Sequence, residues 1–178
     1  TAVRAWATRH GYLVQRPPMG LPLTATGLRW IAELDSGLDP DARRRTVYEP
    51  PAEIVEKMKA LGLFGATIGE EYGGLGLSAA TYSKIVERVS AVWMSVSGIF
   101  NSHLIMAQAV ERAGTEEQKR KWLPKFASGE LRGGIALTEP DAGTDLQGIR
   151  TTARKEGNGY RVTGTKAWIS NAVKGHVL

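Results

Sequence analysis

From residue 51 onward the apolar positions fall into helical registers. Ile54, Val55, Met58 and Leu61 recur at i, i+1, i+4 and i+7, with Glu53, Glu56, Lys57 and Lys59 between them. This spacing predicts an amphipathic helix entered through Pro51 and ended at Gly62. Ser78 offers the N-cap of a second helix. Its stripe of Ile85, Val89, Val92, Val96 and Ile99, widened by Val86, Trp93 and Phe100, predicts burial on more than one side. A further helix is expected from about Ser102 to Ala113, with Gly114 as its C′ residue. Thr115-Glu116-Glu117-Gln118 reads as a capping box opening the next helix. The stretch Glu70 to Gly76, rich in glycine, reads as a flexible connector.

After Gly129 the period changes from helical to alternating. Ile135-Ala136-Leu137 is a short strand candidate, and Lys166 to Ser170 is another. Thr151 to Glu156 and Tyr160 to Thr163 flank Gly157-Asn158-Gly159, a strong hairpin signal. Helices followed by strands predict an α+β chain, with an all-α domain joined to a β domain. The expected divisions are 1–50, 51–130 and 131–178. The first is broken up by Pro17-Pro18, Gly20, Pro22, Gly27, Gly37 and Pro40, with one short helix suggested by Trp30, Ile31 and Leu34.

Composition narrows the classes. Apolar residues make up 42% of the 178 and charged residues 23%, which is ordinary for a globular chain. The longest apolar-rich run, Ala91 to Met106, is interrupted by Gly98, Asn101, Ser102 and His103, and so makes a poor membrane span. With no Cys, neither a disulfide framework nor a thiol nucleophile is available. His10, His103 and His176 lack ligand spacing, so no metal site is expected. The net charge of +5 includes Arg43-Arg44-Arg45 and Lys119-Arg120-Lys121. These lack the aromatic partners or motif of a nucleic-acid surface; they read as solvated helix faces or as steering for an anionic ligand. No export signal is recognised in Val3 to Pro18.

Two stretches carry candidate chemistry. In Leu137-Thr138-Glu139-Pro140-Asp141-Ala142-Gly143-Thr144-Asp145, Pro140 ends the preceding strand and small residues leave the backbone open, with Gly143 free to adopt a positive φ. Successive amides in such a turn attract an anion, a pyrophosphate for example; a polar turn capped by Asp141 or Asp145 is the alternative. In Trp168-Ile169-Ser170-Asn171, a strand would point Trp168 and Ser170 to one face, where an indole can stack on a flat heterocycle beside a hydroxyl. A half-buried structural Trp explains the same residues.

The order of the blocks adds to this. Leu61 to Gly65, Glu70 to Gly76, Asn101-Ser102, Gly114 to Lys119, Ser128-Gly129-Glu130, the Thr-Glu-Pro turn, Gly164-Thr165-Lys166 and Trp168 to Asn171 together resemble the acyl-CoA dehydrogenase family, from about Pro51 to Ala172. The resemblance implies a helical N-terminal domain, a middle β-barrel-like domain of which only part is present, and a C-terminal helical bundle outside these 178 residues. It implies FAD as cofactor, with Ile135, Leu137 and Thr138 along the flavin ring and Thr138 bonding its edge. Gly143 and Thr144 would meet the phosphates, or Thr144 the acyl-CoA substrate. Trp168 would flank the isoalloxazine and Ser170 would bond near N5. Asp141 departs from the family, which often has Gly there.

The implied reaction is α,β-dehydrogenation of an acyl-CoA thioester in fatty-acid or amino-acid catabolism. It uses a carboxylate base that the resemblance places in the C-terminal bundle, so no catalytic residue is assigned here. Electron-transfer flavoprotein as partner and a homodimer or homotetramer are implied as well. So is a bacterial cytoplasmic location, or the mitochondrial matrix in a eukaryote. A flavin-dependent monooxygenase or acyl-CoA oxidase of the same fold, or a non-catalytic binding module, is the alternative. The 178 residues alone are expected to be aggregation-prone, to bind FAD weakly and to lack activity.

Overall fold

Three helices and one hairpin carry the chain over the residues that the computed structural model describes, 50–177 and Gly37. The helix expected around Trp30 to Leu34 lies outside the described residues. Helix α1, Ala52–Ala60, buries Ile54, Val55 and Met58, with Glu53 in its first turn and Lys57 and Lys59 in its last, as the helix dipole favours. Gly62 follows with φ 72°, and a 3₁₀ turn over Leu63–Gly65 then buries Leu63 and Phe64.

The Glu70 to Gly76 stretch is not the flexible connector that its glycines suggested. The amides of Gly74, Leu75, Gly76 and Leu77 donate to the carbonyls of Gly69, Gly65, Ile68 and Ala66 at 3.1, 2.8, 2.9 and 2.9 Å. The turn folds back on its own backbone, and at Gly74 a Cβ would collide with the Ile68 carbonyl oxygen. Glycine serves close approach here, and the hydrogen bonds fix the turn.

Helix α2, Ala79–Ala113, is two helical segments joined across a kink, so the two expected helices are present with their division elsewhere. Ser78 caps it as read, its hydroxyl accepting from the Thr81 amide at 3.3 Å. The break falls at Trp93 (φ −155°, ψ 99°) and not near residue 101. Hydroxyls bridge the disrupted turn: Ser90 donates to Ser97 at 2.9 Å, and Ser97 donates to the Met94 carbonyl at 2.7 Å. Gly114 ends the helix with φ −71°, so it is not a left-handed cap. Its small size matters instead because a Cβ would lie 2.5 Å from the Val110 carbonyl oxygen. By length and composition α2 is apolar enough to cross a membrane. Its apolar side is nevertheless taken up by the core: Ile85, Val89, Val96, Ile99 and Phe100 are all at 0–1% exposure. Phe100 and Met106 are both core residues.

Helix α3, Glu116–Ser128, packs against α2 and brings Leu123 and Phe126 into the same core. Its capping box is complete, with the Gln118 amide donating to the Thr115 hydroxyl at 3.2 Å and the Thr115 amide to the Gln118 side chain at 2.8 Å. Thr115→Ala is expected to cost about 1 kcal/mol; an unchanged urea midpoint would contradict that.

The hairpin forms as read. Strands β1, Thr152–Glu156, and β2, Gly159–Thr163, pair antiparallel from Thr152 opposite Thr163 to Glu156 opposite Gly159. Gly157 takes φ 57° at the first position of the two-residue turn. Neither Ile135 to Leu137 nor Lys166 to Ser170 forms a strand. A ladder needs a partner along its length, and these segments have only isolated links. One is the Ala167 amide donating to the Thr138 carbonyl at 2.9 Å; the others are single bridges, Gly133 with Val177 and Glu139 with Ala142. The α+β reading holds, with the β part reduced to one hairpin and extended segments docked against α2.

Candidate functional site

Glu139 organises the segments around it. It is 7% exposed. Its carboxylate accepts from the Arg150 amide at 2.8 Å, the Thr151 amide at 2.9 Å and Lys166 Nζ at 2.9 Å. The same Lys166 ammonium donates to the Leu137 carbonyl at 3.0 Å. One carboxylate thus ties the Leu137-Thr138 run to the entrance of β1 and to the segment leading to Trp168. The Thr151 side chain, the Arg150 amide and Lys166, in that order, hold its pKa at about 2. The Thr151 hydroxyl itself makes no hydrogen bond of good geometry, so the two amides and the ammonium are the contacts to credit.

Pro140 and Asp141 lie in a turn closed by paired bonds, Glu139 N to Ala142 O at 2.8 Å and Ala142 N to Glu139 O at 3.2 Å. Beyond it Gly143, Thr144 and Asp145 are exposed. Among the described residues, none of their three consecutive amides donates to a protein acceptor. Asp145 makes an Asx cap, accepting from the Gln147 amide at 3.1 Å. The capped-turn reading holds at Asp145, and the three amides beside it stay open to solvent. Gly143 does not use a positive φ; nothing lies within 4 Å of where its Cβ would be, so what it provides is open space. Asp141 points to solvent, 75% exposed, 3.7 Å from Arg150.

The Trp168 to Asn171 segment is a turn, and this corrects the expectation that Trp168 and Ser170 share a strand face. Trp168 has φ 59° and Asn171 φ 65°. The first is uncommon for a bulky residue, the second readily adopted by Asn. Trp168 stands 83% exposed, whereas Asn171 is 2% exposed. The Asn171 side-chain amide donates to the Ile99 carbonyl in α2 at 3.1 Å and to the Gly133 carbonyl at 2.9 Å. The indole is presented to solvent from a turn that Asn171 bolts to the helical core.

His103 makes the second junction. Fully buried in α2, it accepts from the Gly133 amide through Nδ1 at 3.3 Å, so Nε2 carries the proton and donates to the Phe126 carbonyl at 3.1 Å. Phe64 and Phe126 meet its ring edge-on at 5.2 and 5.9 Å. Burial is the main cause that lowers its pKa to about 4. The unfolded chain therefore binds more protons than the folded one between about pH 4 and 6.5. Stability is expected to fall as pH drops through that window, by about 3 kcal/mol in all. A His103→Gln variant with the same acid slope there would contradict this.

Among the residues singled out from sequence, Ile135, Thr138 and Ser170 are half-buried, and Leu137, Gly143, Thr144 and Trp168 are exposed. The Ala167–Thr138 bond brings the Thr138 and Trp168 segments side by side, and the Glu139–Ala142 turn carries the Gly143-Thr144 amides next along the chain. The residues that hold this arrangement, Lys166, His103 and Asn171, were not picked out by the sequence reading. Lys166 and Asn171 fall inside the quoted blocks; His103 had no signal of its own.

Residues 34–130 match the family model for the acyl-CoA dehydrogenase N-terminal domain, and residues 134–177 match that for the middle domain. A (2S)-methylsuccinyl-CoA dehydrogenase from Cereibacter sphaeroides is 42% identical over 128 residues, which is 72% of this chain and 23% of that protein. Two solved structures are similar. A glutaryl-coenzyme A dehydrogenase in complex with glutaryl-CoA has TM-score 0.68 and 30% identity, covering 88% of this chain and 42% of that one. An acyl-CoA dehydrogenase complexed with FAD from Bacillus anthracis has TM-score 0.60 and 31% identity, covering 83% and 27%. The chain thus spans less than half the length of each. The two domain models between them take in both the helical core and the Glu139-centred segments, and the chain belongs to the acyl-CoA dehydrogenase family.

Proposed function

We propose that these residues form one wall of an FAD site, and that the protein containing them dehydrogenates an acyl-CoA thioester at its α,β carbons. The observation that carries this reading is the pairing of an outward indole at Trp168 with the Thr138 segment, next to three unclaimed amides at Gly143 to Asp145. Such a set suits a ligand with a flat heterocycle at one end and phosphates at the other. Trp168 offers the aromatic face, Thr138 and Ser170 offer hydroxyls to the ring edge, and Ile135 and Leu137 offer apolar contact. Gly143 and Thr144 offer main-chain donors to phosphate, Thr144 to FAD or to the acyl-CoA. When bound, the flavin supplies the hydride acceptor.

None of the described residues is proposed as the general base. Glu139 is their one buried carboxylate. With a pKa of about 2 and three donors already upon it, it is too weak a base to take an α-proton. It is a positioning residue. Electron-transfer flavoprotein as oxidant and a homodimeric or homotetrameric assembly belong to the same proposal. The test is the absorbance spectrum of the full-length gene product as purified. A bound flavin spectrum is expected; a colourless protein that takes up no added FAD would overturn the reading.

A further inference from the structure

Arg150 and Asp141 are tied to the same turn by different means. The Arg150 amide is fixed on Glu139 Oε2 at 2.8 Å, which anchors its backbone beside the Thr138 to Asp145 run. Its guanidinium is 81% exposed and reaches Asp141 at 3.7 Å, in a pair open to water on both sides. A pair so exposed adds little to folding stability. It is therefore cheap to break, and its guanidinium can change acceptors. Asp141 stands two residues before Gly143, within about 7 Å of it along the backbone and so inside the screening length at physiological salt. Its negative charge opposes any anion approaching the free amides of Gly143, Thr144 and Asp145. Left uncompensated, that carboxylate would weaken the anion site.

We infer that Arg150 is an exchangeable phosphate-binding residue: parked on Asp141 when the turn is empty, its guanidinium moves to the phosphate ester that binds the Gly143 to Asp145 amides. Guanidinium meets phosphate in a two-pronged geometry that a 3.7 Å contact to one carboxylate oxygen does not satisfy. The exchange leaves Asp141 to water, which its exposure permits. This rests on the proposed flavin and acyl-CoA site, and the phosphate comes either from the dinucleotide or from coenzyme A.

The test uses the full-length protein and measures FAD affinity of the apoprotein and CoA affinity of the holoprotein, each across a salt series. Arg150→Gln is expected to weaken one of the two by about tenfold and to flatten its salt dependence; the ligand affected identifies the phosphate source. Asp141→Asn is expected to tighten the same ligand several-fold, and by a smaller factor once Arg150 is Gln, when only the carboxylate's repulsion is left to remove. Arg154→Gln, four residues further along the chain on β1, controls for net charge. Unchanged affinity for both ligands in Arg150→Gln, or an equal loss in Arg154→Gln, would overturn the inference while leaving the flavin site standing. A wild-type protein that binds neither ligand would overturn both.

Discussion

Asn171→Ala is expected to destabilise the protein by about 3 kcal/mol and to release the Trp168 turn from the helical core. Two buried carbonyls, of Ile99 and Gly133, lose their side-chain donor in this variant. The backbone at φ 65° is also less favourable for Ala than for Asn. These contributions can be separated. Asn171→Gly keeps the left-handed backbone and is expected to recover about 1 kcal/mol of the loss. Asn171→Asp has the right size but no donor, and faces two carbonyl oxygens, so it should be no better than Ala. Chemical denaturation reads all three, and the difference in tryptophan fluorescence between each variant and its Trp168→Phe counterpart reports whether the turn stays in place. An Asn171→Ala protein within 1 kcal/mol of wild type would show that these bonds do not hold the turn.

The second large effect is expected at Glu139. Glu139→Gln keeps the shape, but its single carbonyl oxygen can serve either the Thr151 amide and Lys166, which share Oε1, or the Arg150 amide on Oε2, while its NH2 is pressed towards the donors on the other side. The Leu137-Thr138 run, the start of β1 and the Trp168 segment lose their shared anchor. Flavin retention is expected to fall roughly 10–100-fold, the range found when the groups supporting a ligand-holding shell are removed. The pH dependence identifies the cause. Glu139 has a folded-state pKa of about 2 against an ordinary 4.5. Its stabilising contribution is therefore complete above about pH 4.5 and is lost as pH falls towards 2. Wild type and Glu139→Gln should accordingly differ most near neutrality and converge at strongly acid pH. A constant difference across that range would mean that the charge is not what matters. His103 loses its contribution in the higher window, between about pH 6.5 and 4, so the two titrations are separable.

What the sequence made legible was local. The Thr115–Gln118 capping box, the Ser78 cap and the Gly157-Asn158 turn are each decided by residues within four positions of one another, and each forms as read. The break in α2 was misplaced because Asn101 and Ser102 look like a helix end, whereas the kink depends on Trp93 and on serines seven residues apart. Ile135 to Leu137 and Lys166 to Ser170 have strand-like composition, but pairing is a property of two segments, and alternation in one cannot supply the other. The same limit concealed the anchors. Asn171 reaches Ile99 across 72 positions, and His103 reaches Gly133 across 30. The candidate residues were legible as a set of blocks in order, and Trp168, Gly143 and Thr144 among them stand exposed. That Trp168 projects from a left-handed turn, and that Glu139 and Lys166 hold the segments together, became visible only in three dimensions.

The central claim is that these segments belong to a flavin site that oxidises acyl-CoA thioesters. It is tested most directly by mixing the full-length protein anaerobically with a panel of acyl-CoA thioesters while following its flavin absorbance. Bleaching by at least one saturated acyl-CoA, reversed by an artificial electron acceptor and yielding the α,β-unsaturated product, is the predicted result. A protein that binds FAD but is bleached by no acyl-CoA in the panel, or that shows no flavin absorbance even after incubation with FAD, would contradict it.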